Sequence, residues 1–201
     1  MRKLLMGTLA ALPLMIAQAD GVLACACCTN SAQRYVAVEK IQPQRLDLVR
    51  ALRFAKQAEL YLGEGDLGDV KGVANPVSNY ELTVAGQNNR FVFSFRDDKK
   101  NEGTLTLLLP DTISIFEVDP RDPNAPKNGL GPSLYKEWRL TASFAGTGIF
   151  KAGNGGYQRM TLIVHGRGRG CTEASHFNAW SLYIHGPLGE YLFYGNLTEE
   201  K

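Results

Sequence analysis

Hydrophobic and polar residues alternate with a period of two along most of the chain beyond residue 57. In the first such run, Ala58, Leu60 and Leu62 alternate with Glu59 and Tyr61. A period of two is typical of a β-strand that buries one face, because successive side chains point to opposite sides. The alternation recurs in runs bounded by Gly, Asn, Asp or Pro, at residues 80–84, 91–95, 105–109, 113–118, 135–150, 157–165, 179–185 and 190–194.

A different spacing marks residues 43–52. Pro43 can occupy the first turn of a helix, and Leu46, Val49 and Leu52 follow at intervals of three. This spacing predicts a short N-terminal helix ahead of roughly nine strands, with turn residues about every ten positions. The predicted fold class is all-β, an antiparallel sandwich or barrel. Most connections are too short for crossover helices, which argues against an α/β fold.

The N-terminal segment has the layout of a secretory signal. Arg2 and Lys3 precede an apolar stretch that ends at Asp20. The stretch is shorter than the roughly 20 apolar residues of a spanning helix, so we expect no transmembrane span in the mature chain. We predict a cleaved signal peptide at residues 1–24 and a single β domain at 25–201, periplasmic or secreted. The alternative is a lipid-anchored protein acylated at Cys25, because the residues just before it suit a lipoprotein signal.

Charge and composition narrow the classes of partner. The chain has a net charge of +2, with 21% charged and 44% apolar residues, and no block of like charge. Such a chain can build a core, but it has no electrostatic footprint for nucleic acid or an anionic membrane. We therefore expect no nucleic-acid partner.

Three of the four cysteines lie close together: Cys25, Cys27 and Cys28, with Cys171 far along the chain. An exported chain meets oxidising conditions, where four cysteines can form two disulfides in three ways. A bridge between Cys27 and Cys28 is strained, because adjacent Cα atoms lie about 3.8 Å apart and half-cystines prefer about 5.5–6 Å. We expect one unstrained disulfide to Cys171 and two thiols left for other chemistry.

The remaining thiols lead us to predict a metal site. Closely spaced thiolates suit copper, and zinc binds thiolate together with imidazole. If the strands flanking the loop at 166–178 pair antiparallel, His165 lies at the loop end beside Cys171 and His176. His185 then lies about 20 Å away, at 3.3 Å per residue, and is excluded. The candidate ligands are Cys25, Cys27, Cys28, Cys171, His165 and His176. The alternative for each histidine is a structural role.

The same loop contains Gly166-Arg167-Gly168-Arg169-Gly170. Alternating glycines permit unusual backbone angles, so that successive N–H groups and two guanidinium groups can form an anion-binding nest. Arg167 and Arg169 are therefore candidate anion-binding residues. The alternative is a turn with solvated arginines.

The sequence favours a non-enzymatic domain. It contains no Gly-x-Ser-x-Gly or His-Glu-x-x-His motif, and a thiol nucleophile at Cys171 is the least favoured hypothesis. The predicted function is that of an exported β domain with a cysteine-rich N-terminus that forms disulfides or a copper or zinc site. The alternative is a small-molecule or lipid-binding barrel, whose cavity would be lined by Phe91, Phe93 and Phe95 rather than filled by them.

Overall fold

The computed structural model describes residues 34–87, 89–118, 134–168 and 177–198. Within these ranges, eleven antiparallel strands form one sheet and there is one α-helix, so the predicted all-β fold class is confirmed. The helix is α1 (Pro43–Arg50). The strands are β1 (Arg34–Lys40), β2 (Gln57–Tyr61), β3 (Asn79–Gln87), β4 (Arg90–Arg96), β5 (Glu102–Leu108), β6 (Thr112–Val118), β7 (Leu134–Ser143), β8 (Gly146–Gly148), β9 (Arg159–Gly168), β10 (Phe177–His185) and β11 (Tyr191–Asn196).

The sheet closes into a barrel because two pairs of strands act as continuous segments. Only residues 109–111 separate β5 from β6, and only residues 144–145 separate β7 from β8. β6 pairs with β7 while β5 pairs with β8, so the two segments run side by side. From β7 the antiparallel order continues through β9, β10, β11, β2, β3 and β4, and it returns to β5. Closure of this kind removes the free edges of the strands within the ring.

β1 lies outside this ring and, among the described strands, pairs only with β6. Its apolar residues Val36 and Val38 are 65% and 72% exposed, while Ala37 and Glu39 face inward opposite buried residues of β6. Because this pattern reverses the usual one, hydrophobic alternation does not identify β1. The count rises from roughly nine predicted strands to eleven because β1 is added and the run at 135–150 divides into β7 and β8.

Aromatic rings fill the barrel interior. Phe91, Phe93 and Phe95 all point inward from β4 and are at most 2% exposed. The ring centroids of Phe95 and Phe193 lie 4.5 Å apart, and those of Phe93 and Trp180 lie 6.1 Å apart. These are normal separations for packed aromatic side chains. The residues that alternation placed on one face of β4 therefore form a core.

Helix α1 packs its apolar side chains against the core and contacts β1 and β7. It begins at Pro43, as predicted, and buries Val49 completely. Full burial of such a side chain contributes about 1.5–3 kcal/mol. Arg45 of this helix forms an ion pair with Glu39 of β1, and its guanidinium carbon lies 5.2 Å from the centroid of the Trp138 ring. The helix is thereby fixed to both β1 and β7.

Gly148 permits the close approach of β8 to β5. Its φ is +59°, and a Cβ atom at this position would lie 2.0 Å from the carbonyl oxygen of Glu102. Only glycine adopts this backbone conformation without strain. The closure of the barrel between β5 and β8 therefore depends on this residue.

Candidate functional site

Of the predicted metal ligands, the structure describes His165. Cys25, Cys27, Cys28, Cys171 and His176 lie outside the described residues, as does Arg169. The prediction of a shared metal or disulfide site therefore stays a prediction.

His165 lies near the end of β9, at the side of the hairpin that leads to Cys171. β9 and β10 pair antiparallel, with His165 opposite Ala179 and His185 opposite Arg159. The two histidines thus lie at opposite ends of the hairpin, which is the arrangement that the strand geometry predicts. His165 is partly buried on the outer face and lies opposite Glu137 of β7.

Glu137 organises the outer face around His165. One of its oxygens accepts a hydrogen bond from the Tyr135 hydroxyl at 2.5 Å. The other accepts two from Arg139, at 2.9 Å from Nε and 2.6 Å from Nη2. The rings of Tyr135 and His165 lie 6.0 Å apart. Both carboxylate oxygens are thus engaged, and the group holds Tyr135 against the imidazole.

Burial sets the protonation states in this cluster. It lowers the pKa of His165, while the negative charge of Glu137 opposes that shift. Burial also raises the pKa of Tyr135 far above its usual range, and the hydrogen bond and charge of Glu137 add to the effect. At neutral pH the imidazole is therefore uncharged and the phenol keeps its proton. An uncharged imidazole is the form that binds a metal ion.

The described residues alone do not complete a metal site. Within the described ranges, no group of three His, Cys, Asp or Glu side chains is arranged to hold an ion. Among the described residues, Glu137 is the acidic side chain opposite His165, and that carboxylate already has two partners.

The backbone conformation predicted for residues 166–168 is corrected by the structure. Gly166, Arg167 and Gly168 were predicted to lie in a loop, but they continue β9 and pair with Lys136, Tyr135 and Leu134 of β7. Pairing with the start of β7 draws these three residues into the sheet; Arg169 and Gly170 lie outside the described residues, so anion binding by Arg167 and Arg169 stays a prediction. Arg167 is exposed on the outer face. Its positive charge lowers the pKa of the Tyr135 hydroxyl, against the larger opposite effects of burial and Glu137.

Two charged side chains are buried on the inner face at the same edge. Glu117 and Lys136 are cross-strand partners on β6 and β7, and Lys136 is 1% exposed. The Lys136 Nζ atom lies 5.2 Å from the centroid of the Phe177 ring, a distance typical of a cation–π contact. Lys136 is not among the candidate residues that the sequence motifs indicate. Its alternation with the inward residues Trp138 and Leu140 is the signal that could have done so.

Comparisons with protein-family models, with curated proteins and with solved structures find no match to this chain. The described residues contain no helix with the length and apolar character needed to cross a membrane.

Proposed function

We propose that the protein is an exported, non-enzymatic β domain whose cysteine-rich N-terminal segment is joined to the β9–β10 end of the sheet. The link is either a disulfide or a copper or zinc site made of thiolate and imidazole. The observation that carries this proposal is the strand register at that end. Arg34 at the start of β1 lies opposite Val118, and Gly168 at the end of β9 lies opposite Leu134.

This register places Arg34 and Gly168 at the same edge of the sheet. The order β1-β6-β7-β9 separates them by three strand spacings, or about 14 Å. Cys28 lies six residues before Arg34, and Cys171 lies three residues after Gly168. Six extended residues reach about 20 Å and three reach about 10 Å, which is enough to join them. A disulfide closing so long a loop contributes about 4–5 kcal/mol on the chain-entropy model.

The position of His165 supports the metal form of the proposal. It lies three residues before Gly168, on the same edge, and its imidazole is partly buried rather than fully solvated. Copper and zinc both accept imidazole beside thiolate. In this form Cys171, His176 and the N-terminal cysteines supply the other three ligands of a four-coordinate site.

Native mass spectrometry of the intact mature protein, isolated from its own compartment, tests both forms. The disulfide form predicts that a digest made under non-reducing conditions contains a peptide in which Cys171 is linked to one of the N-terminal cysteines. The metal form predicts stoichiometric copper or zinc that is lost in His165→Ala. The matched control is His185→Ala at the far end of the hairpin, which should retain the metal. Four free thiols without bound metal would refute the proposal.

The alternative function is a small-molecule or lipid-binding barrel. A ligand inside the barrel needs a cavity of about 300 Å³ or more. The packing of Phe95 against Phe193 and of Phe93 against Trp180 weighs against that volume in the described interior. We therefore place this function second.

A further inference from the structure

A row of hydroxyl side chains crosses the outer face of β3, β4, β5 and β8. Thr83 lies opposite Ser94, Ser94 lies opposite Thr104, and Thr104 lies opposite Thr147. The hydroxyls of Thr104 and Thr147 are hydrogen-bonded at 2.7 Å. Each of these side chains is short, and each hydroxyl can both donate and accept hydrogen bonds.

A row of longer, charged side chains runs beside the hydroxyl row. Glu81 lies opposite Arg96, and Arg96 lies opposite Glu102. The Nε and Nη2 atoms of Arg96 donate to one oxygen of Glu81 at 3.1 Å and 2.8 Å, and its Nη1 atom lies 3.9 Å from Glu102. These contacts hold the guanidinium group between the carboxylates of Glu81 and Glu102.

The difference in side-chain length makes the surface concave. One concavity, of about 340 Å³, is lined by both rows. A second, of about 540 Å³, shares Glu81 and Arg96 with the first and extends over Gln57, Asn79 and Asp98. Their volumes are in the range of small-ligand sites. The two concavities therefore form one polar groove that is divided by the Arg96 ion pair.

Two exposed tyrosine rings lie on the same outer face, beyond the Asn79 side of the second concavity. Asn79, which lines it, lies opposite Glu59, and Glu59 lies opposite Tyr194 of β11. The Tyr194 hydroxyl donates to Glu59 at 2.6 Å. The Tyr61 and Tyr194 rings lie 6.5 Å apart in an edge-to-face arrangement and are 61% and 37% exposed. Rings held in place yet exposed offer apolar faces for stacking.

We infer that this groove binds a neutral oligosaccharide. Sugar hydroxyls need partners that donate and partners that accept, which the threonine row, the carboxylates and Arg96 provide together. The apolar faces of sugar rings match the exposed tyrosines. An anion is disfavoured because acidic side chains outnumber basic ones in the lining, and a lipid is disfavoured because most of the lining residues carry charged, amide or hydroxyl side chains. The groove involves none of the residues of the proposed cysteine site.

The test is an NMR titration of ¹⁵N-labelled protein with neutral malto-, cello-, xylo- and chito-oligosaccharides. At least one series should shift the amide signals of residues 81–104 in a saturable manner. The double variant Thr104→Val/Thr147→Val and the single variant Arg96→Met should each weaken that binding about tenfold or more, since each removes hydrogen bonds made to the sugar. Tyr61→Ala should weaken it through the loss of stacking.

The matched control is Thr141→Val/Thr161→Val, which removes another hydrogen-bonded threonine pair at 2.9 Å, on β7 and β9. It should bind the sugar as the unaltered protein does. Circular dichroism melting of each variant separates lost binding from lost folding. The inference is overturned if no series shifts the groove signals or if the control variant loses affinity equally. None of these results bears on the cysteine chemistry, so the two proposals fail separately.

Discussion

Tyr191 and Tyr80 both point into the barrel, but their hydroxyl groups have different surroundings. Tyr191 is 4% exposed, and none of the described residues offers a hydrogen-bond partner to its Oη atom. Tyr80 is equally buried, and its Oη atom accepts the backbone N–H of Val77 at 3.0 Å. Replacing each tyrosine with phenylalanine should therefore change stability in opposite directions.

The expected sizes follow from these contacts. Tyr191→Phe keeps the ring, which stacks on Phe150 with centroids 6.3 Å apart. It removes a buried polar group without a partner, whose burial costs about 1–3 kcal/mol. We expect the free energy of unfolding to rise by about 1 kcal/mol. Tyr80→Phe leaves the Val77 N–H unpaired, and the free energy of unfolding should fall by about 1 kcal/mol.

Urea unfolding monitored by circular dichroism measures both changes. The two variants should shift the midpoint in opposite directions with an unchanged slope, because neither alters the surface exposed on unfolding. If Tyr191→Phe lowered the midpoint as much as Tyr80→Phe, the Tyr191 hydroxyl would have a stabilising partner. That result would refute the reasoning.

Three further predictions concern closure, titration and core packing. Gly148→Ala should lower the free energy of unfolding by about 2–5 kcal/mol, from left-handed backbone strain and overpacking. In Gly68→Ala, by contrast, the new methyl group meets no atom within 4 Å, so stability should hardly change. Burial raises the pKa of Tyr191, so its proton is held more tightly in the folded state. The free energy of unfolding should therefore not depend on this group below about pH 10, its pKa in the unfolded chain, and should fall as the pH rises above that value, because the unfolded chain loses the proton first; Tyr191→Phe should show a weaker alkaline loss. Phe93→Ala should cost about 3–5 kcal/mol, whereas Tyr157→Ala, at a residue 91% exposed, should cost little.

Thermal and urea unfolding check the two glycine variants and the two aromatic variants, and urea midpoints measured across the alkaline range check the titration. Equal losses in Gly148→Ala and Gly68→Ala would contradict the close approach of β8 to β5. A Phe93→Ala variant as stable as Tyr157→Ala would contradict the packed interior. An alkaline loss that is identical with and without the Tyr191 hydroxyl would remove it as the titrating group.

Local patterns account for most of the fold prediction. Alternation identifies the inward faces of β4, β5 and β6, and Pro43 marks the start of α1. The opposite positions of His165 and His185 also follow from the sequence, because one hairpin connects β9 to β10. In each case the residues that decide the structure are close together along the chain.

The candidate site was less predictable because it depends on pairing between distant strands. Glu137 lies beside His165 only because β7 pairs with β9. Gly166 and Gly168 belong to β9 for the same reason, although glycine and arginine in alternation favour a loop. Alternation places Lys136 on the inward face of β7, but its pairing with Glu117 follows only from the register between β6 and β7.

The sequence by itself therefore determined the all-β class, the inward face of most strands and the ends of the β9–β10 hairpin. Period and turn residues are properties of short segments, and they act through the local backbone. The tertiary structure alone decided the closure between β5 and β8, the addition of β1 to β6, and the alignment of Thr83, Ser94, Thr104 and Thr147 into one row. Each of those threonines and the serine reads singly as a solvated position, because register between strands is set by long-range contacts that no short segment contains.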